Sequence, residues 1–562
     1  MQAKKLWAGL LSVMLIVSCL AGCSGNGGDS SKDDSNKAVS QQESSQPGNS
    51  QEDSEMAADF TYPVTPGPDG AFVTLSINKE EIVRENVAAY TMINGKSYYY
   101  WDALEEATGI HLNFIGAVSD PLATSEATLL LITSQEYPDI WRVNWITHPG
   151  GPTGALNDEL IINLSDYPEQ IPNLTAYMQE NPDIAKMVVN DDGDLYCFPS
   201  IGDSEGMGTV GTGPIVRADW LEEQNLQIPV TIDDWTNTLR TFKGAYGANA
   251  GLTFEARWLW LEYASAALTS AWGVTFPFYV VNDEVKFGPM EEGYRQFVQQ
   301  MADWYAEGLL DTDFATVDKS TVQAKFANSE SGLAIQQTGN IENCVSANEG
   351  TSFAAAAVPT AVLKEGDTRL FGHMNPKYNG SFAHSVSPGE NQELAMRWCD
   401  YLYSHEGQYL TAYGTEGITY TVDADGNFTG YTDLVLNNSS TKDEPKDILK
   451  QFTYNRHWAF PSPLNSTKYF QSEYVTSLIN VWSDNEMGQH FYPAVTHTTD
   501  EVEQITNKYT DIETYAKENI VKFILGTQSM DGWDAFKAQM ESLGIADVLA
   551  AKQAAYDRYR AR

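Results

Sequence analysis

The stretch YYYWDALEEATGIHLNF, Tyr98 to Phe114, decides the fold class. Trp101, Leu104 and Ala107 recur at helical spacing and share one face, and Gly109 stands where a helix would stop. Ile110, Leu112 and Phe114 then alternate with polar residues, the two-residue period of a strand. Working outward, Phe72 to Ile77 is β-rich, Thr124 to Ser134 reads as a second helix, and Pro138-Asp139-Ile140-Trp141 starts a further strand. The order β-α-β-α-β predicts an open α/β sheet with helices on its faces. Ligands of such sheets sit beyond the carboxyl ends of the strands.

The segment after that third strand runs Asn144-Trp145-Ile146-Thr147-His148-Pro149-Gly150-Gly151. It joins a large aromatic surface and polar groups to a Pro-Gly-Gly turn. Its place makes Asn144, Trp145 and His148 ligand candidates; the alternative is a loop whose tryptophan caps the core.

Further along, Leu195 to Pro199 reads as a short strand and Ile201 to Gly213 as Gly-rich and irregular. Regular structure resumes at Ile215 to Leu221. Thr231 with Asp234 forms a capping-box start to a helix carrying Trp235, Leu239 and Phe242. Val280-Val281 and Val285 to Phe287 flank an Asn282-Asp283 turn, a hairpin. Tyr294, Phe297, Met301, Trp304 and Tyr305 form a helical stripe that belongs to a core. Leu333 to Ile335 and Phe353 to Val358 are strand candidates, and a long helix begins near Asn391. Asp423 to Asn427 resembles a calcium loop only in composition. Its glycine is fourth rather than sixth and Leu434 stands at position twelve, so a hairpin turn is expected.

The first residues carry a different message. Lys4 and Lys5 precede an apolar run from Leu10 to Val17, followed by Leu20-Ala21-Gly22-Cys23. This is the layout of an export signal. The small residues and the cysteine resemble the lipobox of bacterial lipoproteins, which implies cleavage after residue 22 and lipidation of Cys23. Residues 23–58, rich in Ser, Asp, Gly, Gln and Asn, are expected to be a disordered tether. The folded domain is expected over 59–562, held on the outer face of a cytoplasmic membrane.

With 562 residues and 42% hydrophobic content, the chain can fill two sizeable cores. Its formal charge of -42 becomes -44 once the two leader lysines leave, which opposes nucleic-acid binding at long range. Of the five cysteines, Cys197, Cys344 and Cys399 remain after Cys19 and Cys23 are accounted for. They show no disulfide or zinc spacing.

Several segments in order resemble the extracellular solute-binding proteins of ABC importers, in the group that contains sugar-binding lipoproteins. They are Tyr137 to Ile140, His148 to Gly151, Asp191 to Pro199, Ile215 to Leu221, Trp304 to Leu309 and Ala395 to Gly407. The resemblance implies a two-lobe periplasmic-binding-protein-like fold with a ligand cleft at the hinge. Lobe 1 would hold about 71–200 and 381–415, and lobe 2 about 214–380 and 416–562. The ligand would be a carbohydrate, an oligosaccharide, delivered to ABC permease subunits by a monomer without cofactor or metal. Aromatic rings stack on sugar faces and polar side chains bond the rims. Beside the Asn144 loop, the expected binding residues are Arg217, Glu255, Trp258, Trp272, Asn379 and Trp458.

Enzyme motifs are weaker. Gly202-Asp203-Ser204-Glu205-Gly206 matches a nucleophile elbow, but the Gly-rich Met207 to Pro214 cannot supply the helix that chemistry needs. His405-Glu406 lacks a second histidine, since Tyr409 stands there. No phosphate-binding loop is present and no carboxylate pair stands out, so no enzyme is expected. The competing readings are a surface glycoside hydrolase or esterase, and a peptide receptor or adhesin.

Overall fold

The computed structural model describes residues 61–64, 71–76, 87–115, 121–201, 210–260, 262–374, 376–378, 380, 383–454 and 469–562. All lie in one contact unit, Met56–Arg562. Cys23, the GDSEG motif at 202–206, Asn379 and Trp458 lie outside the described residues.

Eight strands build two four-stranded sheets. They are β1 (Ala71–Ser76), β2 (Ile110–Ile115), β3 (Ile140–Arg142), β4 (Thr212–Arg217), β5 (Leu252–Thr253), β6 (Leu333–Gln337), β7 (Ala355–Ala357) and β8 (His384–Val386). The first sheet has the order β8-β3-β1-β2, with β1 parallel to β2 and β3, and β8 antiparallel to β3. The second has the order β7-β4-β6-β5, with β6 parallel to β5 and antiparallel to β4.

The deciding stretch folds as its periodicity predicts, as the helix Tyr100–Thr108 followed directly by β2. Gly109 ends the helix at φ 73°, and its amide donates to the Glu105 carbonyl at 2.7 Å. A Cβ there would lie 2.2 Å from the Val64 carbonyl oxygen, so both conformation and space demand glycine. The capping box at Thr231 and Asp234 opens the helix Ile232–Tyr246. The stripe Tyr294, Phe297, Met301 and Trp304 is buried along the helix Glu292–Glu307. Asn282 and Asp283 take φ of 52° and 65° between the hairpin strands Phe278–Val281 and Glu284–Phe287, as a tight two-residue turn requires. Asp423 Oδ1 accepts from the amides of Asp425 and Asn427, closing the hairpin Tyr420–Val422 to Phe428–Tyr431. Leu195 to Pro199 is less regular than expected: it makes only isolated bridges, Val189 to Leu195 and Phe198 to His384.

Each sheet has its own core. Tyr100, Trp101, Ile110, Trp141, Trp145 and Trp398 belong to one. Val216, Trp220, Leu252, Phe297, Ile335 and Ile520 belong to the other. The second sheet is covered on both faces, since the alternating Ile215 and Ala334 enter a separate cluster with Val475 and Trp482. Gly213 lets Trp482 lie flat on this sheet: a Cβ would sit 2.3 Å from the indole, whose Nε1 donates to the Pro214 carbonyl at 2.9 Å.

The chain passes between the cores repeatedly. Ile201 is in the first and Phe371 in the second, while Tyr378 is back in the first. Residues 416–454, expected with lobe 2, correct that division, because they pack on lobe 1. The Tyr100 amide donates to the Gln451 carbonyl at 3.0 Å, and Tyr100 stacks on Tyr454 with centroids 5.6 Å apart. Tyr420, Tyr431 and Leu449 cluster with Tyr409 and Tyr413 of the helix His405–Tyr413. The chain is in lobe 2 again by Ser472, whose hydroxyl donates to Glu342 at 2.6 Å. Among the described residues, no helix is long and apolar enough to cross a membrane.

Candidate functional site

In the first lobe, β3 ends at Arg142 and the expected ligand loop follows. Asn144 caps the short turn Trp145–Thr147, its Oδ1 accepting from the Ile146 amide at 3.1 Å. Trp145 is a correction. Its side chain is 1% exposed, in the lobe's core. The indole Nε1 donates to Ser385 Oγ at 3.1 Å, and Ser385 Oγ in turn donates to the Tyr196 carbonyl at 2.7 Å. Trp141 and His148 meet the ring edge-on, His148 at 4.9 Å between centroids. A ring so enclosed has no face left for a sugar, and the core-capping alternative holds. His148 is half-buried, and loss of solvent lowers its imidazole pKa. Gly150 and Gly151, at φ 81° and 64°, turn the chain into the helix Gly151–Asn157.

In the second lobe, Arg217 is likewise a correction. It is 4% exposed and held in place by its own neighbours. Its Nε and a terminal nitrogen donate to the two oxygens of Asp219 at 2.8 and 2.5 Å, and its other terminal nitrogen donates to Ser329 Oγ at 2.6 Å. Its guanidinium lies over Trp220 at 4.5 Å and Phe353 at 4.3 Å. This is a structural arginine that closes the end of β4. Trp258, 4% exposed, also belongs to the core rather than to a stacking surface. Trp272 is half-buried against Phe297, with centroids 5.6 Å apart.

Glu255 behaves differently. It stands two residues past the carboxyl end of β5, where α/β sheets present their ligand groups. Its Oε1 pairs with Arg257 at 2.6 Å, while its Oε2 is buried with no hydrogen-bond partner. Gln336, one residue before the carboxyl end of the neighbouring parallel strand β6, was not singled out by the sequence. Its Oε1 accepts from Asn340 Nδ2 at 2.9 Å, but its buried Nε2 has no partner. Leu252, Phe254, Leu333 and Ile335 share one core, so alternation puts Glu255 and Gln336 together on the opposite face. The only signal for Gln336 in the sequence is a strand of apolar residues that ends in two amides, Gln336-Gln337.

Of the expected site residues, Asn144, Trp145 and His148 form one group in a loop of lobe 1 and Glu255 with Trp258 another at one turn of lobe 2, while Arg217 and Trp272 stand elsewhere in lobe 2. Among the described residues no hydrogen bond, ion pair or ring contact joins the groups. No cluster of three or more His, Cys, Asp or Glu side chains that could hold a metal ion occurs among them either. Cys197, Cys344 and Cys399 are buried free thiols; burial pushes Cys197 up to about 12 and Cys344 to about 11.

Comparison with known proteins agrees with this architecture. No family model matches. The chain is 23% identical over 495 residues to the fructooligosaccharide ABC transporter substrate-binding protein FusA of Streptococcus pneumoniae, covering 82% of this chain and 86% of that one. It is 22% identical over 335 residues to lipoprotein LipO of Bacillus subtilis, covering 57% of this chain and 64% of the relative. Among solved structures, the alginate-binding protein AlgQ2 without calcium ion superposes with a TM-score of 0.65 at 19% identity, covering 87% of this chain and 98% of AlgQ2. FusA in complex with kestose gives 0.64 at 20% identity, covering 88% and 99%. The fold is that of the two-lobe solute-binding proteins. In sequence the chain is similar to a substrate-binding protein of an ABC transporter, and in fold to solved proteins of the same two-lobe architecture.

Proposed function

We propose that this chain is the carbohydrate-capturing component of an ABC importer, anchored through a lipidated Cys23 to the outer face of the cytoplasmic membrane. It binds an oligosaccharide between its two lobes and hands it to permease subunits, with no covalent step. The similarity to a fructooligosaccharide-binding protein and to an alginate-binding fold supports a polyhydroxylated ligand. The observation that carries the reading is the unpaired Oε2 of Glu255 at the end of β5. A buried acceptor left unpaired costs about 1–3 kcal/mol, which a ligand hydroxyl donating to it would return. Asn144 and His148 supply polar groups from the other lobe, and Trp272, Asn379 and Trp458 complete the proposed set.

Titration calorimetry against kestose, nystose and an alginate oligosaccharide tests this. At least one sugar should bind and be recovered unchanged, and Glu255→Gln should weaken that sugar at least tenfold. No binding by any of them would reject the sugar reading, and release of products would move the chain to the hydrolases. Full affinity in Glu255→Gln would remove that residue alone.

A further inference from the structure

The last helix, Ile545–Ala561, belongs to the second lobe. Ile545 and Val548 enter its core, Gln553 accepts from the Val285 amide at 2.8 Å, and Arg560 pairs with Asp283 at 2.5 Å. The two remaining arginines at its end do not contact that lobe's sheet. Arg558 and Arg562 are four residues apart, so they leave the helix on one side. Both reach Asp191, which follows the first-lobe helix Pro182–Val188. Arg558 Nε donates to Asp191 Oδ2 at 2.6 Å, and Arg562 donates to Asp191 Oδ1. Arg562 also donates to the carbonyls of Lys186 and Val189 at 2.9 and 2.8 Å. These lie at the carboxyl end of that helix, where carbonyls lack partners within the helix and a cation is favoured.

The same two side chains hold the segment by which the chain passes between lobes. Phe491 bridges to Tyr279 of lobe 2, Ala494 packs on the core of lobe 1, and the helix Thr499–Ile524 returns to lobe 2. Arg562 donates to Thr496 Oγ1 at 2.8 Å. Arg558 grips Glu501 through two nitrogens, at 2.8 and 2.5 Å. Glu501 Oε2 also accepts from the Thr498 amide at 2.9 Å, so it caps the returning helix and holds the arginine at once. On the other side, Gly151 of the ligand loop approaches Val502, with 3.5 Å between its would-be Cβ and Cγ2.

We propose that Arg558 and Arg562 form a strap that fixes the pivot between the two lobes. Isolated exposed ion pairs contribute little, but a shared network with two-pronged arginine geometry is the exception. These side chains are only 13–33% exposed. Because the strap closes on residues beside a chain crossing, lobe rotation displaces it least, and it limits the range of orientations the lobes sample without ligand. Among the described residues no hydrogen bond or ion pair links it to Glu255, and it does not depend on which sugar binds.

The test is ligand-free. Spin labels at introduced cysteines replacing the exposed Glu169 of lobe 1 and Gln296 of lobe 2 report the distance between the lobes. The parent chain should give one narrow distribution. Arg558→Ala with Arg562→Ala should at least double its width, Asp191→Asn should broaden it less, and 1 M salt should broaden the parent toward the variants. Circular dichroism checks folding; if the double variant does not fold, Asp191→Asn, which alters one partly exposed acceptor, decides alone. An unchanged distribution in the folded variants would overturn the strap, as would a parent distribution already as broad as theirs.

Discussion

The ends of β3 and β5 offer the same opportunity and use it differently. Each strand stops at the edge of its sheet and is followed by a polar residue and a tryptophan: Asn144 and Trp145 in one lobe, Glu255 and Trp258 in the other. After β3, Asn144 Oδ1 and the Trp145 indole find partners within the chain. Asn144 caps its own turn, and Trp145 begins a relay through Ser385 to the Tyr196 carbonyl. After β5 both tryptophan and backbone are settled, yet one carboxylate oxygen of Glu255 and the amide nitrogen of Gln336 are left over. The difference teaches that an aromatic residue at a strand end says little about ligands, because cores claim aromatics just as readily. A buried polar atom without a partner says more.

The largest test of this contrast is Trp145→Ala. Its loss should lower unfolding stability by roughly 3–5 kcal/mol in urea titration, as truncating buried aromatics does. A stable variant that has lost only sugar affinity would reverse the contrast. Glu255→Gln should do the opposite: unfolding stability should change by less than about 1 kcal/mol, while affinity falls by about 1.5–3 kcal/mol, the range for a hydrogen bond to a charged group.

Buried titratable groups sharpen the comparison through pH. Desolvation holds His497, beside the Arg562 strap, down to about 3. The unfolded chain takes up a proton near pH 6.5 that the folded chain refuses, so this histidine's stability is complete above pH 6.5 and lost as pH falls toward 3. The slope is roughly 1.4 kcal/mol per pH unit. Asp400 in lobe 1 has the opposite sign. Burial raises it to about 6 against the hydrogen bonds from the Asn173 and Leu174 amides. Its contribution is complete below about pH 4 and lost as pH rises to about 6. Urea titrations of His497→Gln and Asp400→Asn between pH 4 and 7 should show the two slopes disappear separately. The smallest effect is Thr231→Ala, which removes a cap in lobe 2 and should cost about 1 kcal/mol by the same measurement. A much larger loss would show that the loop before this helix carries packing as well.

Much of the α/β architecture was legible because its signals are local. Trp101, Leu104 and Ala107 followed by Gly109 specify helix and stop within nine residues, and the 294–305 stripe marks its own buried face. The place of residues 416–454 was not legible. A hairpin and two short helices have the same local pattern whichever lobe they cover, and contacts such as Tyr100 with Gln451 and Tyr454 span hundreds of residues. The candidate site was half legible for the same reason. Glu255 could be named as a carboxylate near Trp258 able to bond a sugar rim, but that Gln336 ends beside it depends on the pairing of β5 with β6. Nothing around Arg558 and Arg562 points to Asp191, more than 360 positions earlier.

The three free thiols among the described residues are chemically silent. At pH 7 a thiol with a pKa near that of Cys197, about 12, is ionised in only about one molecule in 10⁵, and the thiolate is the form that reacts. Cys344 and Cys399 are buried as well. Oxidants and alkylating labels therefore find no ready target among these three side chains. A single cysteine placed on either lobe would react ahead of all three, so reporters can be attached without first removing them.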